Sequence, residues 1–275
     1  MIVDTHTHVV SPDRESYPLS PRPLSGAWYD ESPCSAVELA DLMTAAGVDR
    51  AVLVQAMGAY SFDNRYVADS AAARPDRFAS ACCVDPDAED PVSELSHWLG
   101  ERGMRGVRLF ALAREGSSWL AEPRTFPLWE CAAEHHAHVI VTIFSQQLPE
   151  LRQVLERFPG IAVSLDHCAF PDVTAPEPLL ALAEHRNLNL KVSTHVLDAA
   201  EKADGHPSSF VERLVAGFGA ERIMWGSDFC QTQDRSYAEL VKLAHRAFAG
   251  LGAEARSACL GGTALRLWPA LDSTR

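Results

Sequence analysis

The sequence predicts a (β/α)8 barrel of the TIM type, and three observations carry that prediction. Eight short apolar, β-branched runs recur along the chain, segments with helical spacing separate them, and 275 residues suffice for eight such units. A doubly wound open sheet is the architectural alternative that the same alternation allows. The runs cover 2–5, 51–55, 78–84, 106–110, 138–144, 161–166, 188–193 and 222–226. Most place apolar residues at successive positions, as strands covered on both faces do.

The connecting segments carry the helical stripe. Leu39, Leu42, Met43 and Ala46 fall at i, i+3, i+4 and i+7. Val92, Leu95 and Leu99 repeat the spacing, as do Leu148, Leu151, Leu155 and Phe158. Phe210, Leu214 and Val215 follow, then Tyr237, Leu240, Val241 and Ala244. Each stripe buries one helix face against a sheet. Ser35 and Pro207 sit at helix starts, and Gly47 and Gly160 sit just past helix ends. The stretch 11–33 is the one long irregular segment. It is rich in Pro and Ser, carries Tyr17, Trp28 and Tyr29, and follows the first strand, so it is an expected active-site loop. With no internal repeat and no low-complexity linker, residues 1–275 read as one barrel domain.

Lys plus Arg number 24 against 37 Asp plus Glu, a formal net charge of −13. That balance argues against nucleic acid or an anionic membrane as partner and leaves a small-molecule substrate as the expected one. A homo-oligomer stays open. The seven cysteines, Cys34, Cys82, Cys83, Cys131, Cys168, Cys230 and Cys259, are odd in number and form no C-x-x-C pair. They point to a reducing compartment rather than a disulfide framework. No basic start with an apolar run opens the chain, and no apolar run approaches the ~18 residues of a spanning helix. The expected location is the cytoplasm.

In such a barrel the chemistry sits where the strands end. Asp4, His6 and His8 are spaced by two, so an extended strand puts them on one face. Two imidazoles there can bind one metal or one substrate oxygen; the plain alternative is a pair of satisfied core histidines. Asp228 follows Ile-Met-Trp-Gly-Ser at the end of the eighth run. It can take a proton from water or bind a metal, or else cap a helix. Arg108 alternates with Val107 and Leu109, so it faces away from them. A guanidinium inside a barrel needs an anion, either a barrel carboxylate or a substrate carboxylate. Gln55, Ser145, Asp166, His167 and His195 complete the strand-end polar set. Gln55, Tyr60 and Asn64 after the second run, Trp28 and Tyr29 in the loop, and His195 are candidate substrate contacts, each with an ordinary packing or turn role as the alternative. Ser145 is a hydrogen-bond donor with no base placed to make it a nucleophile. Arg105 faces the opposite way. His135, His136 and His138 fall at the opposite mouth, while His97, His185, His206 and His245 read as surface residues.

Taken together, Asp4-Thr-His-Thr-His8, Leu165-Asp-His167 and Trp225-Gly-Ser-Asp228 resemble the amidohydrolase superfamily, and its amidohydrolase 2 branch in particular. Val54-Gln55 followed by Phe62-Asp-Asn64, and Gly103-Met-Arg-Gly-Val-Arg108, are similar to that branch's lactonase group, which includes 2-pyrone-4,6-dicarboxylate lactonase and sugar lactonases. The resemblance runs in order from Asp4 to about Leu267. It implies a distorted (β/α)8 barrel with its site at the carboxyl mouth. Metal-bound members carry a histidine at the end of the fifth strand; here Phe144-Ser145-Gln146 has none. That loss resembles the lactonases, some of which work without metal, so no cofactor is required on this reading. A zinc or manganese ion on His6, His8 and Asp228, with or without His167, stays open. Gly262-Thr263-Ala264 stands where Gly-Asn-Ala is usual, which concerns a structural contact rather than the chemistry.

The expected function is hydrolysis of a lactone or similar cyclic ester that is carboxylated or polyhydroxylated. Asp228 acts as general base on water, His6, His8 and His167 polarise the carbonyl, and Arg108 grips a carboxylate. The lost histidine favours an ester, because amide or C–C cleavage asks for stronger electrophilic help. The alternatives are a metal-dependent decarboxylase or C–N hydrolase, and a barrel repurposed for dehydration, cyclisation or small-acid binding.

Overall fold

The computed structural model describes residues 1–22 and 26–272. Among them the sheet has eight parallel strands in chain order: β1 (Val3–Thr7), β2 (Arg50–Val54), β3 (Phe78–Cys82), β4 (Gly106–Phe110), β5 (His138–Thr142), β6 (Val163–Leu165), β7 (Leu188–Ser193) and β8 (Ile223–Gly226). All eight lie where the apolar runs put them, β4 and β7 with the same bounds and the others with one or both ends shifted by one or two residues. Ladders join each strand to the next. At the seam between β1 and β8 the ladder gives way to an isolated bridge, Thr7 to Phe229. Two backbone bonds reinforce it: Asp228 N–H donates to His6 O (2.8 Å) and His8 N–H to Phe229 O (2.5 Å). The architecture is a nearly closed TIM-type barrel, not an open sheet.

Side chains alternate across each strand, and the core divides accordingly. Val107 and Leu109 on β4, Val139 and Val141 on β5, and Leu188, Leu190 and Val192 on β7 pack outward under the helices. Val3, Val52, Val54, Ile140 and Met224 fill the barrel interior, where Trp268 and Leu271 from the C-terminus plug its lower mouth. The helix Ala36–Ala46 shows how local sequence sets an element. Ser35 accepts from the Glu38 amide, the Glu38 side chain returns to Ser35 N, and Gly47 ends the helix in the left-handed conformation. Pro207 opens the helix Pro207–Phe218 as expected, whereas Phe158 rather than Gly160 caps Leu148–Arg157. All seven cysteines are free and buried. No described helix is long and apolar enough to cross a membrane. His185, read as a surface residue, is half-buried; His97, His206 and His245 are exposed.

One departure on β1 matters for the site. From Asp4 to Thr7 the strand advances three residues while β2 advances two, so one extra residue bulges. Val3 points inward, yet so do His6 and His8 beyond the bulge. Asp4 does not share their face: its carboxylate accepts from Ser227 N (2.9 Å) and from Tyr237 Oη (3.1 Å) on the surrounding helix Tyr237–Ala247.

His138 lies at the lower mouth, as expected, fully buried against Ser164 Oγ (2.6 Å) and the Trp268 ring. Burial pushes its imidazole down to about 3 from 6.5. The unfolded chain therefore binds this proton first, and stability falls as pH drops through that window. His167, pushed down by burial to about 4, adds to the loss. Asp4 opposes it: burial raises its carboxyl to about 6 from 3.8, so its contribution grows as pH falls through that range. Two histidines outweigh one aspartate, and the denaturation midpoint is expected to be lower at pH ~5 than at pH ~7. His138→Gln flattens part of that slope. An unchanged slope in the variant removes His138 from the account.

Candidate active site

The seam builds the site. Asp228 sits just past β8 in the left-handed region, at φ 62°, where Asp is one of the few tolerated side chains. Its amide is held by His6 O. Gly226, two residues earlier, makes room for β1: a Cβ there would lie 2.7 Å from His6 Cβ. After β6 the backbone turns left-handed from His167 through Phe170. Ser145 Oγ–H pins that turn by donating to Ala169 O (2.8 Å) and Phe170 O (3.0 Å). His195 lies in the first turn of the helix Thr194–Asp204, whose start is tied to the β8 loop by Thr194 Oγ1–H donating to Ser227 O (2.7 Å).

These elements bring His6, His8, His167, His195 and Asp228 together. Asp228 Oδ1 lies 3.4 Å from His6 Nε2 and 3.2 Å from His8 Nε2, and Oδ2 lies 2.9 Å from His195 Nε2. His8 Nδ1 must donate, because its partner is the carbonyl of Val54 (2.9 Å). His6 Nδ1 faces the ionised Asp166 (3.2 Å) and donates there. In neutral rings both Nε2 atoms are then lone pairs, pointed at a carboxylate that can only accept. Burial drives the His6 imidazole well below its ordinary value, with Asp166 only partly opposing. Burial works against charge on Asp228 too, but its His195 and His8 contacts and the nearby His167 and His6 hold the carboxyl well below the usual range. The Asp228 contact in turn raises His195, which stands half-exposed at the rim.

Buried acceptors facing one another call for a cation between them. His6 Nε2, His8 Nε2 and Asp228 Oδ1 lack hydrogen-bond partners, while Asp228 Oδ2 meets only His195 at the rim. Ligand atoms of His6, His167 and Asp228 all lie within 4.8 Å of one another, a buried donor set spaced for one ion. Two imidazoles and a carboxylate suit zinc or a similar divalent ion. The compact trio contains His167 where the sequence reading placed His8; His8 stands beside it through Asp228.

Above the cluster opens a cleft of about 360 Å³. Arg108 and Arg114 supply its positive wall, Phe110, Phe144 and Phe170 its flat apolar walls, and His167 and His195 the side next to Asp228. Arg108 has the barrel carboxylate as its partner and also lines the cleft. Its Nε–H binds Asp166 (2.8 Å) and Thr142 Oγ1 (2.9 Å), and the same side chain is stacked over the Phe110 ring.

Several expected contacts are spent elsewhere. Gln55 Nε2 donates to Ser61 O (2.8 Å) and Asp63 O (3.0 Å). Asn64 Nδ2 donates to Phe62 O and Cys83 O, and its Oδ1 accepts from Cys83 N–H. Tyr60 Oη accepts from Ser11 N–H (2.7 Å). These three organise the loop after β2, as Ser145 organises the turn after β6; the Asn64 amide is engaged at both its nitrogen and its oxygen. In the expected loop, 23–25 lie outside the described residues. Trp28 packs over His8 with ring centroids 5.8 Å apart, and Tyr29 meets Trp28 edge-on. The Tyr29 carbonyl accepts from Arg14 (3.2 Å).

The sequence reading placed Asp166 among the strand-end groups without giving it a role, and it missed Lys191 and Arg114. Asp166 is wholly buried between His6, Arg108 and Lys191, and the last two with His6 hold its carboxyl well below the usual range against burial. Lys191 is equally buried, 3.1 Å from Asp166. Its signal was the polar alternation of Leu188-Asn-Leu-Lys-Val-Ser193. Arg114 had none, lying beyond β4.

A match to the family model described as amidohydrolase covers residues 3–270. The chain belongs to the amidohydrolase family. This amidohydrolase is 25% identical to an L-fucono-1,5-lactonase of Burkholderia ambifaria over 235 residues, 82% of this chain and 79% of that protein. A Pseudomonas putida structure with the provisional name 2-pyrone-4,6-dicarboxylic acid hydrolase is 26% identical, with a TM-score of 0.78 over 98% of this chain and 97% of that one. An amidohydrolase structure from Burkholderia multivorans with bound zinc shares the fold, at 23% identity and TM-score 0.74 over 98% and 99% of the two chains. The protein is thus an amidohydrolase-superfamily enzyme that distantly resembles lactonases.

Proposed function

We propose that this amidohydrolase hydrolyses a cyclic ester that carries a carboxylate. The observation that carries the reading is one cleft with a guanidinium grip, Arg108 with Arg114, on one wall and the His167–His195–Asp228 group on the other. The lactonase relatives support an ester as the bond broken.

Arg108 and Arg114 hold the substrate carboxylate and set the ring against Phe110, Phe144 and Phe170. Asp228 takes a proton from water as the water oxygen bonds to the ester carbonyl carbon. The ring C–O bond then breaks, and the departing oxygen receives that proton from Asp228. The contact between Asp228 and His195 raises the imidazole and lowers the carboxyl, so it favours the ionised base. A divalent ion on His6, His167 and Asp228, when bound, supplies Lewis-acid polarisation of the carbonyl. Burial of both imidazoles favours such an ion over a proton as the cation that fits there.

The test is a pH-stat assay of a panel of carboxylated and neutral lactones, with metal content measured on the same sample. Hydrolysis of a carboxylated lactone at least about tenfold better in kcat/KM than its neutral analogue is expected. Release of carbon dioxide from aromatic acids, with every lactone untouched, moves the enzyme to the decarboxylase reading.

A further inference from the structure

We propose that Lys191 and Asp166 form a buried positioning relay in which the two oxygens of one carboxylate serve opposite ends of the site. Oδ1, paired with Lys191, sets the His6 imidazole. Oδ2, paired with Thr142, sets the Arg108 guanidinium. The assay below rests on the cyclic-ester reading; the geometry does not.

Lys191 points inward because its neighbours Leu190 and Val192 pack outward. Its side chain is wholly buried and its Nζ lies 3.1 Å from Asp166 Oδ1. The same oxygen receives His6 Nδ1–H at 3.2 Å. Oδ2 receives Arg108 Nε–H and Thr142 Oγ1–H, both at 2.8 Å. Three hydrogen-bond donors, His6, Arg108 and Thr142, engage the carboxylate, and the Lys191 ammonium adds an ion-pair contact on Oδ1. Wholly buried among these groups, Asp166 is placed to orient them rather than to act as a base.

Lys191 solves a competition. A guanidinium prefers to engage both oxygens of a carboxylate at once. If Arg108 did so, His6 Nδ1 would lose its acceptor, and the ring would be free to exchange tautomers and turn its Nε2 lone pair away from Asp228. The ammonium on Oδ1 holds that oxygen on the His6 side. A positioning partner of this kind is worth about 10–100-fold when removed.

The two oxygens give the test its contrast. Lys191→Met keeps the chain length and removes the charge; kcat is expected to fall about 10–100-fold with KM within about twofold. Thr142→Val removes the donor on the Arg108 side and is expected to raise KM while kcat holds. Parallel changes of kcat and KM in both variants reduce the relay to a packing role and overturn it. Nitrogen NMR of the full chain labelled with 15N-histidine gives a readout free of substrate. The wild-type His6 signals are expected to place the proton on Nδ1, and those of Lys191→Met to move toward exchanging tautomers. A wild-type His6 proton on Nε2, or unshifted signals in a folded Lys191→Met protein, sinks the relay. A wild-type enzyme inert toward every lactone sinks the cyclic-ester reading instead, and the NMR result still judges the relay.

Discussion

Asp228→Asn is expected to lower kcat by roughly 10²–10⁴ while leaving the fold intact. The substitution is chosen for the backbone as much as for the charge. At φ 62° most side chains would strain the seam, but Asn tolerates the left-handed region, and the amide bond to His6 O survives the change. What disappears is the one carboxylate within reach of His6, His8 and His195 together. An amide cannot accept the proton of water, and it is a poorer ligand for an ion at the buried trio. KM is expected to move little, because the proposed grip on substrate lies with Arg108 and Arg114, on the opposite wall of the cleft. A folded Asp228→Asn enzyme with full turnover would falsify the assignment of the base.

The largest effect on stability is expected at Asp166. Removing one partner of a buried ion pair costs about 3–5 kcal/mol, because the remaining charge stays buried without compensation. Asp166→Ala strands Lys191, which is wholly buried, and takes the ion-pair partner from Arg108, which is nearly buried beside the cleft. The loss is read as a shift of the urea denaturation midpoint. Adding Lys191→Met to Asp166→Ala is expected to recover part of it, since the double variant buries one fewer unpaired charge. If the two losses simply add, the residues do not act as a pair and the ionic account of the barrel interior fails.

Much of the scaffold was legible. Val107-Arg108-Leu109 alternates, so the inward direction of Arg108 follows from strand period alone. The Ser35 to Glu38 capping box and Gly47 mark the ends of one helix with local chemistry that needs no tertiary partner. His6, His8, His167 and Asp228 were recognisable as strand-end groups, and the structure brings them to one place. Less legible were side chains whose partners lie far along the chain. Gln55 and Asn64 stand at the active mouth by position, yet carbonyls of 61–63 and 83 take the hydrogens of both side-chain amides. Nothing in a residue name says whether its amide meets substrate or backbone. Asp4 was assigned to the face of His6 by the rule of twos, and a bulge of one residue turned it away.

Local spacing was enough to define eight parallel strands, their helical covers and the ring of polar residues at the strand ends, because strand and helix periods are properties of neighbouring residues. Closure of the barrel supplied the rest. His6 and Asp166 are 160 residues apart and Asp4 and Ser227 are 223 apart, yet each pair shares a hydrogen bond. Which inward-facing group meets which depends on the stagger of all eight strands and on the bulge beside the seam. Those are relations between distant segments, and they determine which acceptors face one another, where a cation fits and why a lysine lies beneath the chemistry.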